Sequence, residues 1–188
     1  VKNISLHFLK ALPGERYVIG GENAHEPTYI FSIEKTSLAG RPVRSLMHED
    51  NYYFAVAEDP ARDSLDSAIK MFDVIREKMR SNLASSHSIP EEIKAVGQID
   101  LDVAAYEIAF SDGLKQPVTV TRSGNVRKAV SPIGMCEATL EGGWWNFSSG
   151  AEPDLLKVLV RFHEARFYSV EEVVANSEAA KMGKPPVS

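Results

Sequence analysis

Cysteine is scarce in this sequence: Cys136 is the only one among 188 residues. One thiol cannot close a disulfide within the chain, and it cannot build a multi-cysteine zinc cluster. That usage fits a reducing compartment, so a cytoplasmic location is the expectation. Long apolar runs are missing too. The longest, such as 103–110 and 155–160, each contain a charged residue and fall far short of the ~20 residues that span a bilayer. No membrane partner is expected. The first six residues, Val1-Lys2-Asn3-Ile4-Ser5-Leu6, lack the charged-then-apolar pattern of a signal peptide. The sequons Asn3-Ile4-Ser5 and Asn146-Phe147-Ser148 would matter only in a secreted protein. An excess of positive charge is absent: 21 Lys and Arg face 26 Asp and Glu, a net charge of -5, which disfavours a nucleic-acid partner.

The strong catalytic and nucleotide-binding signatures are absent as well. Neither Gly-x-Gly-x-x-Gly nor Gly-x-x-x-x-Gly-Lys-Ser/Thr occurs, so no closely spaced glycines open a helix to cradle phosphates. His-Glu begins at His25 and at His163, but the residues four further on are Tyr29 and Phe167, where a zinc-binding helix needs a second histidine. A Gly-x-Ser-x-Gly nucleophile elbow does not occur either. No cofactor and no metal are therefore predicted.

What is present is an average soluble composition, 44% hydrophobic and 25% charged, in short patterned segments. Apolar and β-branched runs at 4–9, 16–19, 28–33 and 51–57 alternate with Pro13-Gly14, Gly20-Gly21 and a loop through Gly40 and Pro42, which predicts a meander. After Asp59-Pro60 the period changes. Leu65, Ala68, Ile69, Phe72, Ile75, Met79 and Leu83 recur at three and four residues, predicting a helix over 61–84 with one apolar face. Ser88 and Glu91 have capping-box spacing, so a short helix to about Val96 is expected. The stretch 99–110 fits a helix through Leu101, Ala104, Ala105 and Ile108, or a strand through Tyr106, Ile108 and Phe110; Asp102 as a cap and Gly113 as a terminator favour the helix. Strand signal returns after Pro117, with a hairpin around Ser123-Gly124-Asn125 and further strands at 135–140 and 144–147. Glu152-Pro153-Asp154 opens a helix carrying Leu155, Leu156, Leu159 and Phe162, and Ser169-Val170-Glu171-Glu172 opens another.

Strands, helices, strands and helices in that order, with hairpin-length connections, predict an α+β fold. The sheet is expected to be mainly antiparallel, built from two meanders at about 4–60 and 117–148, and packed by helices near 61–84, 89–110 and 152–180. One domain over 1–180 and a tail at 181–188 are expected. The halves share the plan of a meander followed by helices, an outline compatible with duplication, although no matching residues show it in the sequence.

Four groups of residues could carry function. The stretch from Lys115 to Cys136 holds Lys115, Arg122, Arg127 and Lys128 and no acidic residue, so a projecting hairpin would offer a positive surface to a phosphate or an acidic partner. Adjacent Trp144 and Trp145 must point to opposite faces of a strand, which predicts one in the core and one outward as an anchor. Glu22, His25, Glu26, His48, Glu49 and Asp50 could perform metal-assisted or acid-base hydrolysis, but an up-and-down meander puts Glu26 and His48 at opposite ends of the strand 28–33. Cys136 and His163 could serve as nucleophile and base; a strand cysteine is more simply a small core residue. His163 is expected beside its helix's apolar stripe, with Glu164 and Arg166 in solvent. The expectation is a non-catalytic binding domain that contacts a protein partner or small ligand through the outward Trp and the hairpin. The alternative is a hydrolase assembled from the His and carboxylate loops. Self-association as a homodimer, through exposed strands or the helix 61–84, suits either reading.

Overall fold

The computed structural model describes residues 6–49, 51–53, 60–82, 88–97, 99–142, 144–148 and 153–167. The first meander comprises β1 (Phe8–Leu12), β2 (Arg16–Gly20), β3 (Thr28–Leu38), β4 (Arg41–His48) and β5 (Asn51–Tyr53), and helix α1 (Pro60–Ser81) follows it. The second comprises β6 (Pro90–Ala95), β7 (Val103–Phe110), β8 (Lys115–Ser123), β9 (Val126–Ser131), β10 (Gly134–Glu141) and β11 (Trp144–Phe147), followed by α2 (Asp154–Ala165). All eleven strands form one sheet in the order β11-β10-β9-β8-β7-β6-β1-β2-β3-β4-β5. Every neighbouring pair is antiparallel. The two meanders join where β1 meets β6, with Leu9 opposite Ile93. The fold is α+β, as the order of elements predicts.

One face of the sheet is apolar and covered. Tyr17, Ile19, Phe31, Ile33 and Leu46 from the first meander, and Ile93, Tyr106, Ile108, Val118 and Val120 from the second, are buried with Leu65, Ile69 and Phe72 of α1 and Leu156, Leu159 and Phe162 of α2. The two helices lie against each other on that face, α1 touching β4 and α2 touching β8, β9 and β10. Alternation is the physical cause: in β7, Ala104, Tyr106 and Ile108 are buried whereas Val103 is 55% exposed.

Three expectations are corrected. Residues 90–95 and 103–110 are strands, so the second meander begins at Pro90 rather than near 117 and no helix spans 89–110. Tyr106 and Ile108 obey period two, and the segment fills the gap between β1 and β8, where its backbone groups complete two ladders. The capping-box serine has no helix to cap. Second, the loop through Gly40 and Pro42 is a hairpin: Ala39 and Gly40 take φ of 52° and 79°, and β4 returns along β3. Pro42 fits a strand here because, among the described residues, β5 pairs with Leu46, Met47 and His48 alone, and none of them lies beside position 42 on that side to receive an N–H. Third, α2 is described to Ala165, and Glu164 and Arg166 are buried rather than solvated. The helix predicted from Ser169, the start of the first strand at Ile4 and the tail at 181–188 lie outside the described residues.

Ladder registers show a correspondence between the two halves that the sequence hides. Tyr17 pairs with Phe31 and Tyr106 with Val118; two residues on, Ile33 pairs with Leu46 and Val120 with Ala129. Two further on, Lys35 pairs with Arg44 and Arg122 with Arg127. The helices continue the match. The Tyr17 ring meets Phe72 edge-on at 6.0 Å, and Tyr106 meets Phe162 edge-on at 5.8 Å. Each tyrosine hydroxyl then bonds the next helical residue, Asp73 in α1 and His163 in α2. Arg44 binds Asp73 and Glu77 of α1; Arg127 binds Glu164 of α2.

Candidate ligand-binding groove

The basic residues of the β8–β9 hairpin are occupied inside the molecule. Gly124, at φ 59°, opens a two-residue turn, as its sequence predicts. Arg127 is buried, its Nε donating to Glu164 Oε1 at 2.9 Å and its Nη1 donating to the Gly124 carbonyl at 2.8 Å. Arg122 donates to Asp102 at 3.1 Å and lies 4.1 Å over the Phe167 ring. Lys128 is half-buried between Thr121 and Glu137 of the neighbouring strands, and Lys115 is 3.8 Å from Glu107. A stretch free of acids in sequence thus meets acids supplied by other elements. Trp145 is half-buried against the core on the helix-covered face. Trp144 pairs through its backbone with Glu141, and its side chain is outside the described residues.

The His and carboxylate loops fall at one end of the sheet, contrary to expectation, because the added strand β4 brings His48 back beside the start of β3. Asp50 lies outside the described residues, and the described members do not assemble a site. Glu26 closes its own loop, accepting from the Glu22 backbone N–H at 2.9 Å and from Asn23 Nδ2 at 3.3 Å. His48 donates from Nδ1 to the Ile30 carbonyl at 3.1 Å and sits between the Tyr29 and Phe31 rings, with Glu49 at 3.9 Å. Among the described residues, no three His, Cys, Asp or Glu side chains are grouped to hold a metal ion.

His163 and Cys136 are both buried. The Leu101 carbonyl accepts from His163 Nε2 at 2.7 Å, which fixes Nδ1 as the acceptor for the Tyr106 hydroxyl. Both ring nitrogens are committed, so neither serves Cys136 as a base. Burial pushes the His163 pKa down to about 4 and the Tyr106 hydroxyl upward.

A groove of about 890 Å³ opens elsewhere, between the C-terminal half of α1, the β7–β8 turn, the β9–β10 turn and the start of α2. Its apolar wall includes Ile75, Met79, Phe110, Leu114, Ile133 and Leu155. Leu114 is 62% exposed and Ile133 51%, although hairpin tips are ordinarily polar. Both tips are held. The Leu114 N–H donates to Asp112 Oδ1 at 3.1 Å and Phe110 N–H donates to the Leu114 carbonyl at 2.9 Å. The Ile133 N–H donates to Ser131 Oγ at 3.2 Å. Gly134, at φ 146°, lets this second tip abut Pro153, since a Cβ there would lie 3.3 Å from the proline ring. Lys78, Lys115, Gln116 and Asp154 contribute polar groups to the lining. Motif reasoning missed this site because its residues come from five separate segments, Ser88 ahead of β6 among them. The legible signal was apolar side chains in turns, at Asp112-Gly113-Leu114 and Pro132-Ile133-Gly134.

Compared with family models, with curated proteins and with solved structures, the chain matches none. Among the described residues, no helix is long and apolar enough to cross a membrane.

Proposed function

We propose that this chain is a non-catalytic binding domain whose ligand occupies the groove between α1, α2 and the two hairpin tips. The carrying observation is the groove itself: its volume of about 890 Å³ falls in the range of small-molecule clefts, and its walls are mainly apolar with a few polar groups. The fixed turns at Leu114 and Ile133 support the reading, because a pre-formed wall spares the ligand the cost of ordering it. Internal engagement of Arg122 and Arg127 moves the binding surface away from the hairpin and onto the groove. A reducing, cytoplasmic setting accompanies the proposal, resting on the single buried cysteine.

Titration with Nile red, a neutral apolar dye, tests it. The expected result is saturable binding at one site per chain. Leu114→Lys and Ile133→Lys should each weaken it about ten-fold or more, since each puts a charge in the apolar wall, while the melting temperature holds because both positions are exposed. Affinity unchanged in both variants would reject the groove as the site.

A further inference from the structure

Resting on the groove being the binding site, we infer that its ligand is a free apolar monocarboxylate, with the tail along the wall formed by Met79, Leu114 and Ile133 and the carboxylate at Lys78. Charge complementarity at the rim carries the argument. Lys78 is exposed in the last turns of α1, lines the groove, and makes no ion pair among the described residues. Its acidic neighbour on the helix, Glu77, is taken: Lys35 Nζ lies 2.7 Å from its Oε2 and Arg44 Nη2 lies 2.6 Å from the same oxygen. Lys115, the second lysine of the lining, lies 3.8 Å from Glu107. Asp154 is the one acid of the lining, and Lys157 answers it at 3.8 Å. It also stands in the first turn of α2, where the helix dipole favours a negative charge. Among the described residues the rim therefore holds one lysine without an acidic partner, Lys78, and no acid without a basic one. An apolar wall beside such a rim selects an amphiphile with an anionic head over a neutral or cationic one.

Displacement of Nile red by octanoate, octanol and octylammonium separates head from tail. Octanoate should bind about five- to ten-fold more tightly than octanol, the size of one charge-assisted hydrogen bond at an open site, and octylammonium should bind more weakly than either. Raising the salt concentration should erode the octanoate preference and leave octanol unchanged. Lys78→Gln should bring octanoate to within about two-fold of octanol, with octanol affinity and melting temperature as in the parent. Equal binding of octanoate and octanol by the parent, or a preference that survives Lys78→Gln, would overturn the head-group assignment while the groove stands. Failure of all three compounds and of the dye would remove the groove reading itself.

Discussion

Arg127 of β9 and Glu164 of α2 form a buried ion pair. The pair closes at 2.9 Å with both side chains under 10% exposed, and the Gly124 carbonyl takes a second guanidinium proton. Deleting one partner should cost more than deleting both. Glu164→Leu is expected to destabilise by about 3–5 kcal/mol, since it leaves a guanidinium uncompensated in the interior, whereas Glu164→Leu with Arg127→Met should recover most of that loss. Urea unfolding of the three variants checks it, and a single-variant loss below about 1 kcal/mol would mean that the pair is more solvated than its geometry shows. Asp66 is the opposite case, a buried carboxylate whose Oδ1 has no hydrogen bond among the described residues and which has Lys70 beside it at 3.0 Å. Burial raises its pKa from 3.8 to about 6. The folded state then holds this proton more tightly than the unfolded chain, so the group lowers stability progressively as pH rises from 3.8 through 6. Asp66→Asn should stabilise the protein by about 2–3 kcal/mol at pH 8 and change little below pH 4. His163 works the other way. With its pKa lowered to about 4 from 6.5, the unfolded chain takes the proton first, and stability falls as pH drops from 6.5 to 4. Thermal melts of parent and Asp66→Asn across pH 4–8 resolve the two, and a variant benefit that is flat with pH would exclude titration of Asp66.

Among the elements, α1, the β8–β9 hairpin and the apolar start of α2 were legible, since each carries a local period or turn signal. The segment 90–110 was not, because its strand character comes from its neighbours. Alanine at 104 and 105 suits either structure, and only burial on alternate residues, with Ala104 1% exposed and Ala105 outward, decides. That alternation is testable. A helix would put both alanines on the apolar face, whereas β7 predicts that Ala105→Lys stays within about 0.5 kcal/mol of the parent and Ala104→Lys prevents folding. Comparable losses from both would contradict the strand. Strand β4 was missed through Pro42, a residue that disfavours a central strand position but fits one with no outer partner among the described residues. That single omission also set the His and carboxylate loops at opposite ends of the sheet, so one missed element displaced a candidate site.

The whole molecule is two copies of one plan, a meander crossed by a helix, joined where Leu9 meets Ile93. The copies keep a tyrosine under an edge-on phenylalanine and a pair of basic residues at matching ladder positions. Their polar partners differ. Tyr17 bonds a carboxylate within an ion network, where hydrogen bonds from Lys35 and Arg44 pull Glu77 down to about 2, whereas Tyr106 bonds a neutral imidazole. Pattern reading sees none of this, because the matching residues are few and loop lengths shift their spacing: Leu9 to Tyr17 spans eight positions and Ile93 to Tyr106 thirteen. The groove belongs to the same scale, being made where one copy's helix end meets the other copy's hairpin tips and helix start. Its ingredients were visible as odd apolar turn residues, but their convergence required the topology. Backbone amide shift mapping by NMR during octanoate titration tests the central claim most directly. The account predicts saturable shifts confined to 75–79, 110–117, 132–134 and 153–155, whereas shifts centred on 122–128 and Trp145, with the groove silent, would contradict it.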